Sequence, residues 1–417
     1  MFAYPNAPKI NQVDDYHGTK VADPFRPLED PDAPESRVWI EAQNKLTFDY
    51  LATIPQRDAI KQRITKLFNY EKFSAPFKEG KRYFYFKNDG LQNQSVLYVA
   101  DSIEGQGRVL LDPNTLRTDG TVALSGLSVS EDGNTLAYGL SQAGSDWQEW
   151  FVRDVSTGKD LSDKLENIKF SGASWSKDNK GFFYSRFPAP NESTKLEDAN
   201  YNQKLYYHEI GKPQSEDKLI YERPDDKEMG IGAGVSEDGK FLMIIVSKGT
   251  APRNLVYYKD LSKADAPVIP IVDKFEADYT FIGNDNANFY FRTDKDASRG
   301  KIVVTNAFAR DARMWKDVVP EAKETLGGVD FINNQFVGNY LKDAYTQIRI
   351  YDLNGKLARN VELPAIGTAG GFGGKRFDTE TFYTFTSFTT PPVIYRYDMK
   401  TGKSTIFKSP KVDFNAN

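Results

Sequence analysis

A turn motif recurs seven times between Phe73 and Pro410 of this chain. The turns are Glu79-Gly80, Asp132-Gly133, Asp178-Asn179, Asp238-Gly239, Asp285-Asn286, Asn333-Asn334 and Asp378-Thr379, separated by 53, 46, 60, 47, 48 and 45 residues. Each follows one short apolar run and precedes an aromatic-rich one. A loop and a further strand-like segment come next. A period of about 40–50 residues with four short strands per unit specifies a β-propeller. Seven such units close a ring around a central channel.

The rest of the chain agrees with this reading. Aromatic residues make up 13% of the 417 residues, which favours half-buried pleated surfaces over helices. Strands are predicted at 82–87, 135–140, 181–186 and 241–247. Others are predicted at 95–101, 149–155, 203–210, 254–261, 301–307, 347–353 and 393–399. Hairpin turns are expected at Ser156-Thr157-Gly158, Asn354-Gly355 and Lys400-Thr401-Gly402. The blades fall at about 73–114, 115–167, 168–226, 227–274, 275–323, 324–371 and 372–410. The first and last each hold four strands of their own. The ring is thus expected to close without a shared strand, at a seam where it can open.

Residues 1–72 form a different segment, extended and punctuated by Pro24, Pro31 and Pro34. Asp32 and Glu35 suggest a capped helix start. Trp39, Ala42 and Leu46 then lie at helical spacing, as do Ile60, Ile64 and Leu67 of a second helix. The fold class is therefore all-β, a seven-bladed propeller of four-stranded antiparallel blades with a short N-terminal α-helical segment. Pro188 to Asn202 reads as a solvated insertion in the third blade.

Several chemistries have no residues to carry them. The chain has no cysteine and only two histidines, His17 and His208, so no disulfide, thiolate or His-rich metal set is expected. His208 reads as a satisfied strand residue and His17 as a turn residue. No Gly-x-Ser-x-Gly elbow and no phosphate-binding loop occurs. The run Gly370-Gly371-Phe372-Gly373-Gly374 reads as a turn between blades. The acidic residues of the repeated motif read as turn formers. The net charge of −4 gives no reason to expect nucleic acid. No apolar stretch of membrane-spanning length is present. A cytoplasmic monomer without cofactor is the default expectation.

Ser130-Glu131-Asp132-Gly133 resembles the Asp-box of sialidases only in part, since Leu136 stands where an aromatic should follow. Trp-Asp dipeptides are missing. A specific resemblance lies elsewhere. Asp15-Tyr16-His17-Gly18, Val21-Ala22-Asp23-Pro24-Phe25-Arg26, Leu28-Glu29-Asp30-Pro31 and Tyr70-Glu71-Lys72-Phe73-Ser74 are similar to the start of prolyl oligopeptidases. Gly90 through Tyr98, Ser145-Asp146-Trp147 and Gln203 through His208 continue the match. Pro27 departs from it, where the family usually carries Trp.

The resemblance implies a serine endopeptidase that cleaves short peptides after proline. In that family the propeller covers an α/β-hydrolase domain encoded after it, and the N-terminal helices pack on that domain. Residues 411–417 then resemble the start of a linker, and the chain itself is expected to hold no catalytic residue. Its partners would be short proline-containing peptides and the hydrolase domain. Phe170 and Met229 match positions that border the pocket for the peptide residue two before the proline. Lys259 stands where the family often has a small apolar pocket residue. A free-standing propeller used as a binding module is the alternative. The two readings differ in whether Trp39, Leu46, Ile60 and Ile64 are covered.

Overall fold

The second strand of each repeat organises its blade. In 241–248 the sequence Phe-Leu-Met-Ile-Ile-Val-Ser-Lys is buried almost throughout instead of alternating. A strand interior to a sheet with neighbours on both faces needs apolar side chains on both sides. Phe182 to Tyr184, Phe289 to Phe291 and Phe382 to Tyr383 do the same in their blades. The computed structural model describes residues 2–191, 199–308 and 315–413.

It contains seven four-strand antiparallel meanders, at 72–111, 122–168, 174–221, 229–272, 279–319, 325–361 and 368–408, here blades 1 to 7. In blade 1 the first strand is broken into Lys72–Phe73 and Phe77–Glu79, both paired with Arg82–Asn88. Among the described residues no sheet combines strands from blade 1 and blade 7, so ring closure uses no shared strand there. The meander fixes where things lie. The first and third turns of every blade fall on one face of the ring. The second loops and the connections between blades fall on the other.

The repeated turns form as their residues require. Gly80 and Gly133 have φ of 58° and 74°. A Cβ on Gly80 would lie 2.2 Å from the Asp132 carbonyl oxygen, and one on Gly133 would lie 2.4 Å from that of Glu79. Only glycine lets these neighbouring turns meet. Ser130, Ser176 and Ser236 each donate from Oγ to the aspartate two residues on, at 2.6–2.7 Å, which closes the turns of blades 2, 3 and 4. Gly158, Gly355 and Gly402 sit at positive φ in the expected hairpin turns.

One expectation fails. The Gly370–Gly374 region is not a turn between blades: Thr368–Gly373 is the first strand of blade 7. Its register shifts between Gly371 and Gly373, and Phe372 is buried with φ of 63°. A bulge absorbs the glycines, so a run that reads as a chain break still pairs with its neighbour.

Residues 1–69 form a separate compact unit. Val13–Tyr16 and Thr19–Ala22 make a hairpin that the sequence reading did not anticipate, with His17 and Gly18 at its turn, both at positive φ. Helix α1 spans Pro34–Ala52 and helix α2 Arg57–Phe68. The expected cap is not made. Ala33 is the N-cap, and Asp32 instead pairs with Arg37. The apolar residues Val38, Phe48, Ile60, Ile64 and Phe68 are all more than half exposed. Of the insertion at 188–202, residues 192–198 lie outside the described residues, as do 414–417 of the expected linker.

His208 is satisfied, as expected, and by an unusual pair. Its fully buried ring lies 3.0 Å from Asp163 through Nε2 and 2.7 Å from Asp217 through Nδ1. Asp163 belongs to blade 2, so the imidazole ties blade 2 to blade 3. Burial resists a charge on this ring, yet the two carboxylates outweigh it and push the imidazole up to about 9. The stabilisation is therefore complete below about 6.5, the free imidazole value. It is lost as pH rises through about 9. Denaturant unfolding across that window should show the decline. A His208→Ala variant should lose about 3–5 kcal/mol at neutral pH, because two buried carboxylates lose their shared counter-charge and keep the Tyr184 hydroxyl and the Gly211 N–H as donors. It should also lose the slope, and an unchanged slope would refute the assignment.

Candidate functional site: the two mouths of the ring

At the face of the repeated turns, side chains from all seven blades meet. Lys375 of blade 7 lies 2.6 Å from Glu79 of blade 1 and 2.8 Å from Glu131 of blade 2. Lys177 of blade 3 reaches the same Glu131 at 2.8 Å and donates to the Glu237 carbonyl of blade 4 at 2.7 Å. The Arg376 backbone N–H donates to the Glu237 carboxylate at 2.8 Å. The Arg376 guanidinium reaches Asp285 of blade 5 at 3.0 Å and Asn334 of blade 6 at 2.7 Å. Two consecutive cations of blade 7 thus bridge the ring at this mouth.

The electrostatics of this hub are uneven. Burial pushes the Glu79 and Glu237 carboxyls up, against the pull of the nearby cations. Glu131 is buried too, but its two lysine partners hold it below the usual range. Burial works against the Lys375 ammonium, yet Glu131 and Glu79 keep it above its ordinary value. From the sequence, the acidic residues of these turns are expected to be turn formers. That holds for Asp132, Asp178 and Asp238. Glu131, Lys177 and Glu237, each one residue earlier, serve the hub, and Glu79 does so from within its own turn.

The two residues singled out from the sequence lie toward the opposite face, where the inter-blade connections run. Phe170 follows the last strand of blade 2. It is 69% exposed at φ of 56°, an uncommon conformation for an aromatic residue that presents its ring to solvent. The Lys169 ammonium lies 5.3 Å from the Phe170 ring and 5.3 Å from that of Trp147. Met229 begins blade 4, but it is packed among Phe183, Leu205 and Ile231 and only 7% exposed. Phe170 is therefore open to a ligand, whereas Met229 supports from within the blade interface.

Gln203 links them and was missed as a site residue. This buried amide donates to the Lys169 carbonyl at 3.0 Å and accepts from the Ile231 N–H at 2.7 Å. It fixes the backbone beside both positions. Asn254 makes the same two-way bond to Tyr279, at 3.0 and 2.7 Å. Gln94 does likewise with Val122 and Leu124. An amide at or just before the third strand was the available signal. Lys259 lies in the third strand of blade 4, its ammonium donating to the Ala266 carbonyl.

Together these features define a propeller with one mouth bridged by charge and a constrained, exposed aromatic ring toward the opposite face. The family model for the prolyl oligopeptidase N-terminal beta-propeller domain matches residues 5–410. The chain belongs to the prolyl oligopeptidase family. It is 41% identical over 415 residues to a prolyl endopeptidase of Elizabethkingia meningoseptica, covering all of this chain and 58% of that protein. It is 31% identical over 447 residues to a dual function macrocyclase-peptidase of Galerina marginata, covering 98% of this chain and 60% of the relative. Among solved structures, one from an analysis of two prolyl endopeptidases superposes with a TM-score of 0.92 at 33% identity, over 99% of this chain and 61% of that one. Prolyl oligopeptidase B from Galerina marginata, bound to a 25mer macrocyclization substrate, gives 0.89 at 29% identity, over 99% and 62% of the two chains. The chain thus spans about three fifths of the length of these relatives.

The hub makes a direct prediction. Lys375→Ala leaves Glu79 and Glu131 short of a cation and should destabilise the propeller by about 1–3 kcal/mol in thermal or urea unfolding. Hydrogen exchange should rise first in blades 1 and 7. Uniform loss across all blades would count against a local tie.

Proposed function

We propose that this chain is the N-terminal segment and propeller of a serine endopeptidase that cleaves short peptides after proline. In this reading it shapes access to chemistry carried elsewhere in a longer protein. The carrying observation is Phe170, exposed at positive φ on the face opposite the hub. Its ring, held in place through Lys169 and Gln203, offers a surface for the peptide residue two before the proline. Met229 backs that surface from the blade interface. The hub draws the repeated turns together at the other mouth, which supports passage of the peptide on the Phe170 side.

Of the four residues that separate the two readings, Trp39 and Leu46 are half-buried, and it is the exposed pair of α2 that favours this reading over a free-standing binding module. Ile60 and Ile64 lie one helical turn apart, and both are more than half exposed. Apolar positions at that spacing suit docking against a hydrolase domain. Residues 1–72 would then be the docking segment, 73–410 the gate and 411–417 the link onward, in a monomeric cytoplasmic enzyme.

Two measurements test the proposal. The 417-residue chain, incubated with a fluorogenic Gly-Pro amide, should show no turnover sensitive to serine-directed inhibitors, and such turnover would overturn the division of labour. In the longer protein, Phe170→Ala should raise KM for a Pro-peptide about tenfold with kcat nearly unchanged, as loss of uniform binding requires. A fall in kcat alone would contradict the binding role.

A further inference from the structure

Six buried apolar clusters each join two neighbouring blades, from blades 1 and 2 through to blades 6 and 7. None of them spans blades 7 and 1. That seam holds a cavity of about 560 Å³ instead. Its apolar walls are Phe77 and Tyr83 of blade 1 and Phe377 and Phe382 of blade 7. The first strand of blade 7 contributes Gly371 and Gly373 to the lining. A Cβ built on Gly373 meets no atom within 4 Å, so a side chain there has room to enter the cavity, whereas one on Gly371 would lie 2.8 Å from the Phe382 carbonyl oxygen.

We propose that the seam cavity is a binding site for an uncharged planar aromatic ring bearing one N–H or O–H donor, of the indole or phenol type. Its volume falls in the range of small-molecule sites, roughly 300–1,000 Å³. Four aromatic side chains suit a flat ring, which they meet edge-on or offset. Four of the five charged side chains on the lining are engaged within the protein, and the ammonium of the fifth, Lys78, lies 5.9 Å from the Tyr83 ring. Lys375 pairs with Glu79 at 2.6 Å, and Arg396 bonds Glu380 through Nε at 2.8 Å. Asp378 accepts the Lys375 N–H at 2.8 Å. A charged ligand would disturb this balance, whereas the carboxylates keep lone pairs that can accept one donor. The site is separate from Phe170, and the proposal is independent of peptidase activity.

Thermal unfolding of the full 417-residue chain is the test, with indole as the free-ligand probe and N-acetyl-tryptophanamide as the peptide-borne one. A ligand bound across the seam stabilises the closed ring by mass action, so Tm should rise with the concentration of at least one probe. The probe that acts identifies a free metabolite or a peptide side chain as the source. Gly373→Leu fills the cavity and should abolish the shift. Gly370→Leu, on the same strand but not on the cavity wall, should keep it. Phe377→Ala changes a side chain that is 71% exposed, so folding should survive while affinity falls about tenfold. The proposal is overturned if neither probe raises Tm, or if Gly373→Leu responds like the wild type. Should Gly373→Leu fail to fold, an unaltered response in Phe377→Ala overturns it equally.

Discussion

Lys375 binds Glu79 across the junction where the ring must close, and that contact carries a burden no other blade contact has. Elsewhere neighbouring blades are joined by buried aromatic and aliphatic clusters. Each large side chain in them contributes about 1.5–3 kcal/mol by leaving water. Between blade 7 and blade 1 the described residues form no such cluster and share no strand. Closure rests on Lys375 with Glu79, on Arg396 within 3.6 Å of Glu104, and on the Lys408 ammonium 4.7 Å from the Phe73 ring. Directional polar contacts thus stand in for non-directional packing at one junction of seven.

This arrangement relates the features of the ring to one another. Gly371 and Gly373 of the first strand in blade 7 line the seam cavity without side chains. The cations that follow them, Lys375 and Arg376, reach across the mouth to blades 1, 2, 4, 5 and 6. One short segment therefore both weakens the packing of the seam and ties the ring together by charge. At the opposite face, amides at Gln94, Gln203 and Asn254 hold the start of the next blade through its backbone. That is the scaffold on which Phe170 is displayed.

Much of the architecture was legible because a propeller repeats its local solutions. A turn that needs positive φ selects Gly or Asn, and an interior strand selects apolar residues throughout. Both leave marks at a regular spacing. The run at Gly370–Gly374 misled because glycine signals a turn and a bulged strand equally, and only pairing with Glu380–Thr386 separates them. The hairpin at Val13–Tyr16 was hidden because its residues are mostly exposed and carry no apolar alternation. Phe170 and Met229 were singled out by resemblance. Their burial distinguishes a displayed ring from a packed one, and no sequence pattern contains that difference.

The sequence alone determined the number of blades, the turns, most strands and the absence of a cysteine or clustered-histidine chemistry. Those follow from short-range stereochemistry and composition, which each residue carries with it. Tertiary structure decided what the charged residues of the turns do. Glu79, Glu131 and Lys375 are separated by as many as 296 positions, and they meet only when the ring brings the seventh blade against the first. An ion pair depends on distance in space, and closing the ring sets that distance.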